Sequence, residues 1–189
     1  MFKKLANLFG TKEQSTTSLD ENTHQSVAVE ALLSPMNGQL KPLTEVNDPA
    51  FAQGAMGDGI AIEPAEGKVY SPVNGVIANT PKSKHSLLII SEHGAEILIH
   101  VGIDTVKLKG EHFNVPVTLG QQIKAGDLII EFEIEAIKQS GYEVTTPVII
   151  TNTANYSKID KVVEYTNAVV GHKILHLTSC RDWNMRVKQ

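Results

Sequence analysis

A single cysteine, Cys180, in 189 residues rules out an intramolecular disulfide and gives no sign of an oxidising compartment. It sits in a polar C-terminal stretch away from every motif below and is read as a bystander rather than a reactive thiol. Long apolar runs are also missing: stretches such as Leu87–Ile90 fall far short of a membrane span. Lys3 and Lys4 are followed by no continuous apolar segment, so a secretory signal is not expected. Basic charge is short too. Seventeen Lys and Arg stand against 21 Asp and Glu, a net charge of -4, which argues against broad binding to nucleic acid, where cations must displace counterions from phosphates. What remains is a mildly acidic chain, 41% hydrophobic, expected in the cytoplasm, with length for one domain plus appendages.

The appendages come first. In MFKKLANLFG, Phe2, Leu5, Ala6 and Phe9 recur at helical spacing, with Lys3, Lys4 and Asn7 opposite and Gly10 as a stop. Residues 1–10 are therefore expected to form a short amphipathic helix. Ten residues do not hold a helix in water, so it needs a surface, and its basic face suits an anionic membrane interface. Docking on the chain's own domain is the alternative. Residues 11–30 are rich in Ser, Thr, Gln, Asn and charge and read as a flexible linker. A domain is expected over 31–178 and a C-terminal extension over 179–189.

Inside the domain the texture is short β-type runs punctuated by Gly, Pro and Asn: GIAIEP, VYSPV, GVIANT, SLLIIS, EILIHV, LIIEFEI and PVIITN. A weak repeat links Ser34-Pro-Met-Asn-Gly-Gln-Leu40 with Ser71-Pro-Val-Asn-Gly-Val-Ile77, each a proline-led approach to an Asn-Gly turn and an extended segment. The stretch Gly120 to Phe132 has the texture of lipoyl- and biotinyl-type β modules. One helix is expected inside the domain, near Ile134 to Ser140. The fold class is mostly β: a single-domain antiparallel sandwich or barrel of the duplicated, hybrid-motif type, with short helical segments.

Two of the seven histidines stand out. His100 ends the run Glu96–Val101, is followed by Gly102-Ile-Asp104, and so is delivered from a strand into a glycine loop with a carboxylate four residues on. His85 opens the run to Ile90, joined to the first by Ser91-Glu-His-Gly-Ala95. If the two runs form an antiparallel hairpin with an even loop, paired numbers sum to an odd total and both imidazoles fall on one face. With His93-Gly94 as the loop, Leu87 faces His100 and His85 is its diagonal neighbour; an odd loop or a bulge would split them. Two imidazoles beside a carboxylate suit three uses. One ring can attack a phosphoryl group while the other, with backbone N–H groups of the glycine loop, holds its oxygens. His, His and Asp could instead ligate zinc. A purely structural pair is the third reading, and spacing does not choose among them.

The segment His100-Val-Gly-Ile-Asp-Thr-Val-Lys-Leu-Lys-Gly-Glu111 closely resembles the H-x-G-I-D-T-V-x-L-x-G-x signature of the glucose-family IIA domain of the bacterial sugar phosphotransferase system. Supporting matches are Ser34–Gly38, Gly57–Ile62, Gly120–Phe132 and Thr146–Asn152, so the resemblance covers roughly residues 31 to 178, and the family's standalone members also carry a short N-terminal amphipathic helix. The resemblance implies a phosphotransferase working through a phosphohistidine. His100 would take the phosphoryl group from HPr and pass it to a cysteine of a IIB domain on a sugar permease. It implies that His85 contacts the phosphoryl group and serves onward transfer, and that Asp104 has a role in steering and interface contacts. The mechanism expected is in-line attack by neutral His100, with His85 and amides near Gly102 holding the phosphoryl oxygens. Regulatory binding of other permeases or glycerol kinase is implied as well. So is zinc held by His85, His100 and a partner's carboxylate, with no cofactor required by the isolated protein. Such a chain would be peripheral at the inner face of the membrane through residues 1–10.

Three departures and two rivals frame that reading. Aliphatic residues such as Leu87, Leu98 and Val101 stand where the family often places phenylalanines. Pro81-Lys-Ser-Lys84 is more basic than usual, with Ser83 near a common threonine position, and 179–189 runs past the family's usual end. A lipoyl or biotinyl carrier lacks its hairpin lysine, since Asn37-Gly38 and Asn74-Gly75 occupy the turns. A zinc peptidase would want H-x-x-x-D and H-x-H, whereas Ile89 and Leu98 fill the needed places. A regulator of the same fold without transfer activity is the remaining alternative. The sugar is not legible, because the permease binds it.

Overall fold

The structure is a computed structural model, and it describes residues 29–162 and 166–180. The N-terminal helix, most of the linker and the end of the C-terminal extension lie outside the described residues. Every strand pairing is antiparallel. The largest sheet has eight strands, in the spatial order Asn167–Ala168, Gly38–Lys41, Asp58–Pro64, Thr146–Ile150, Glu96–His100, Ser86–Ser91, Gly75–Asn79 and Gln122–Ile123. A three-stranded sheet centres Lys173–Ser179 between Val29–Leu33 and Tyr156–Lys161, and another centres Leu128–Phe132 between Lys68–Tyr70 and Phe113–Asn114. The mostly β expectation holds, and the expected helix is Ile134–Gln139. A second, one-turn helix, Pro49–Ala52, was not foreseen; Asp48 caps it, its carboxylate accepting from the Ala50 N–H at 2.7 Å.

Alternation in the strands sorts the side chains. Ile97 and Ile99 of one strand and Leu87 and Ile89 of its neighbour point into a continuous core shared with Ile62, Ile77, Ile129, Ile130 and Leu175. The opposite face of the large sheet carries Leu98 and His100. It is covered locally by a second cluster, in which Leu43, Val46 and Phe51 pack on Ala61, Ile103 and Ile149. Thr146–Ile150 is therefore buried at every residue.

The two Ser-Pro-x-Asn-Gly segments form equivalent corners. Ser34 Oγ donates to the Met36 carbonyl and Ser71 Oγ to the Val73 carbonyl. Asn37 Oδ1 accepts from the Val170 N–H at 2.9 Å and Asn74 Oδ1 from the Ala125 N–H at 3.0 Å. The glycines start strands that press on a neighbour: a Cβ at Gly38 would lie 2.1 Å from the Glu63 carbonyl oxygen, and one at Gly75 would lie 2.3 Å from that of Ile90.

One sequence inference is corrected here. The hairpin pairs Ser86 with His100 and Leu87 with Ile99, not Leu87 with His100. Ser91 N–H bonds the Ala95 carbonyl at 2.9 Å, so the loop has three residues, Glu92-His93-Gly94, closed by Gly94 at φ 85. The odd loop shifts the register by one residue, so strand parity does not bring the two histidines together.

Candidate functional site

His100 is the last residue of its strand, held by the inward side chains of Ile97 and Ile99. Two residues on, Gly102 turns the chain at φ 74, and its carbonyl oxygen lies 2.8 Å from His100 Nδ1. A carbonyl only accepts, so Nδ1 carries the hydrogen and Nε2 keeps its lone pair. The turn is pinned on both sides: the Ile103 N–H donates to the Glu143 carbonyl at 3.0 Å, and Thr105 Oγ1 donates to the Val101 carbonyl. A Cβ at Gly102 would sit 2.5 Å from both Glu143 O and Thr105 Cγ2, so only glycine fits. Gly102 thus reaches the ring through its carbonyl, and the neighbouring Ile103 amide is already committed to Glu143.

His85 lies one residue ahead of strand Ser86–Ser91. The Val101 N–H donates to its carbonyl at 2.7 Å, which ties the two chain segments side by side. Its ring stands 4.6 Å from the His100 ring, centroid to centroid, at 79°, an edge-on contact. Ser83 Oγ is 2.8 Å from His85 Nδ1. The pair therefore meets at the open end of the hairpin, where His85 is outside the ladder and Lys84 turns the backbone at φ 57.

Burial pushes the His85 pKa down to about 4, and the neighbouring His100 adds to the shift. Burial also lowers the pKa of His100; the Gly102 carbonyl and the charges of Asp48 and Asp104 pull the other way without cancelling it. Both rings are accordingly neutral near pH 7.

Phe51 is the site residue that sequence reading missed: its ring lies 5.2 Å from that of His100, tilted by 59°. The only signal was Asp48-Pro49, a helix start that sets Phe51 on the sheet. Leu87 and Val101, assigned to the apolar surround, are instead fully buried core residues, and Leu98 packs half-buried against the cluster holding Phe51. Asp104 acts on His100 through its charge. It is at φ 61, more than half exposed, and its side chain bonds Lys107 at 2.6 Å. Among the described residues no three His, Cys, Asp or Glu side chains are grouped to hold a metal ion. The two imidazoles supply two donors, and a tetrahedral shell needs more from elsewhere. Cys180 is exposed and remote in sequence from these groups.

Residues 30–156 match the family model described as phosphoenolpyruvate-dependent sugar phosphotransferase system, EIIA 1. The chain belongs to this family of sugar phosphotransferase system EIIA components. Among EIIA relatives, the glucose-specific EIIA component of Bacillus anthracis is 40% identical over 178 residues, covering 94% of this chain and 99% of that one. The beta-glucoside-specific EIIBCA component of Halalkalibacterium halodurans is 45% identical over 180 residues. That alignment takes in 90% of this chain, which spans only 27% of the relative's length. Glucose permease IIA from Mycoplasma capricolum has a similar structure, with TM-score 0.73 and 29% identity over 79% of this chain and 96% of that chain. Among the described residues no helix is long and apolar enough to cross a membrane.

Proposed function

We propose that His100 is the phosphorylated nucleophile of this EIIA domain and that His85 holds the phosphoryl group during transfer. The observation that carries the reading is the contact between His100 Nδ1 and the Gly102 carbonyl, which leaves Nε2 as the free nucleophilic nitrogen. In the forward step the Nε2 lone pair attacks phosphorus in line. The P–N bond of the donor's phosphohistidine breaks, and its electron pair returns to the donor imidazole. Positive character on the His100 ring is shared with Nδ1–H, which the Gly102 carbonyl accepts throughout. A lowered pKa favours this, because a protonated ring has no lone pair to use.

Ser83 has a supporting part. If its hydroxyl donates to His85 Nδ1, the His85 hydrogen sits on Nε2 and can be donated to a phosphoryl oxygen. The donor in this account is HPr and the acceptor is a cysteine of a IIB domain; fused EIIBCA relatives support a IIB partner. Phe51, itself buried, packs against the His100 ring and helps hold it in place. Cytoplasmic placement, membrane contact through residues 1–10 and binding of other permeases or glycerol kinase belong to the same proposal. Zinc, where a partner brings a carboxylate, would be held by His85 and His100.

The test is phosphoryl transfer from phosphoenolpyruvate through enzyme I and HPr to the wild type and to His100→Ala. Acid-labile, base-stable label is expected on the wild type alone. An unlabelled wild type with active donors, or a labelled His100→Ala, overturns the reading.

A further inference from the structure

Among the described residues four that are not glycine have a left-handed backbone: Lys84 at φ 57, Asp104 at φ 61, Lys109 at φ 54 and His112 at φ 68. All four fall in the two loops that flank the histidine pair. Asn, Asp and His tolerate this region; lysine has no such excuse, and Gly or Asn would sit there with less strain. Two lysines are nevertheless placed in it, both exposed and neither in an ion pair among the described residues. The two loops meet. A Cβ on Gly110, next to Lys109, would lie 3.3 Å from the Lys82 carbonyl oxygen and 3.7 Å from Lys84 Cδ, so the Lys84 stem runs across Gly110.

The local charge opposes that of the chain. The two loops hold Lys82, Lys84, Lys107 and Lys109 against Asp104 and Glu111, while the protein as a whole carries -4. Asp104 is paired with Lys107, while Asp48 caps its own helix and keeps its negative charge near His100. That leaves Lys82, Lys84 and Lys109 without an ion pair among the described residues, against Glu111, in the loops that flank the site; Lys84 and Lys109 are the two on left-handed backbone.

Resting on the assignment of His100 as acceptor, we propose that Lys84 and Lys109 recognise the dianionic phosphoryl group that the donor presents, drawing it toward His100. Two charges arrive with that group, and a rim of ammonium ions speeds their capture in a way that salt weakens. The backbone strain is retained because asparagine or glycine would lose the charge.

Single-turnover labelling of His100 tests this with two donors, phosphorylated HPr and phosphoramidate, the latter bringing a phosphoryl group with no protein surface. The Lys84→Asn/Lys109→Asn variant is expected to melt at or above the wild type, by about 2 °C for each relieved position. It should accept about tenfold more slowly from both donors at low salt, the gap closing to about twofold at high salt. Lys84→Arg/Lys109→Arg should keep the wild-type rate, and the wild-type rate should itself fall with salt. Equal rates for wild type and the Asn variant overturn the proposal. Slowing with HPr alone also overturns it, because the lysines would then be meeting carboxylates of the partner. A wild type that takes no label sinks the reading of His100 instead, leaving the two failures distinct.

Discussion

At the corners Ser34–Gly38 and Ser71–Gly75, each motif spends its polar groups on the fold. The serine hydroxyl closes a turn, the asparagine carbonyl oxygen holds a remote amide, and the glycine lets two strands touch. In the loops around His85 and His100 the balance is different. Lys84, Asp104, Lys109 and His112 adopt left-handed backbone, Lys82, Lys84 and Lys109 have no ionic partner among the described residues, and His100 keeps one ring nitrogen unspent. The corners satisfy themselves; the site keeps groups in reserve for a partner. Stability and chemistry are thus divided between two regions of one sheet system.

Substitution at a corner should produce the largest effect on stability and the least on chemistry. In Gly75→Ala the new methyl would meet the Ile90 carbonyl oxygen at 2.3 Å, and backbone cannot swing aside as a side chain can. A loss of about 4 kcal/mol is expected in denaturant unfolding, while the protein that remains folded still takes label at His100. A stable Gly75→Ala, or a folded but unlabelled one, would break the division.

Acid provides a smaller test at the site. Above pH 6.5 the His85 ring is neutral in both folded and unfolded chains and contributes no slope. As pH falls below 6.5 the unfolded ring binds a proton that the folded ring refuses until about pH 4, so stability is lost across that window. His100, also lowered, acts in the same direction. On the order of 2 kcal/mol should go between pH 6.5 and 4.5, and His85→Gln should flatten that slope. An unchanged slope in His85→Gln would contradict the burial account.

Much of the scaffold was legible because it is written locally. Strands such as Asp58–Pro64, Ser86–Ser91 and Leu128–Phe132 alternate or run apolar between Gly and Asn breaks, and the repeated corners share one turn chemistry. Val29–Leu33, Tyr156–Lys161 and Lys173–Ser179 were not picked out; they form one three-stranded sheet and carry many half-exposed or polar residues, so pairing rather than pattern defines them. At the site, the family signature led to the two histidines, but the parity argument failed on one loop residue, Glu92. The rings meet because His85 lies outside the ladder. Phe51 was illegible because its contact with His100 and its packing on Ile149 join residues far apart in sequence.

The central claim is that the Gly102 carbonyl fixes the His100 hydrogen on Nδ1 and leaves Nε2 to react. Long-range 1H–15N correlation on the protein before and after phosphorylation tests it most directly, since the two ring nitrogens have distinct shifts. The account predicts Nδ1–H on His100 in the free protein and the phosphoryl group on its Nε2 afterwards. A phosphoryl group on Nδ1, or on any other residue, would contradict it.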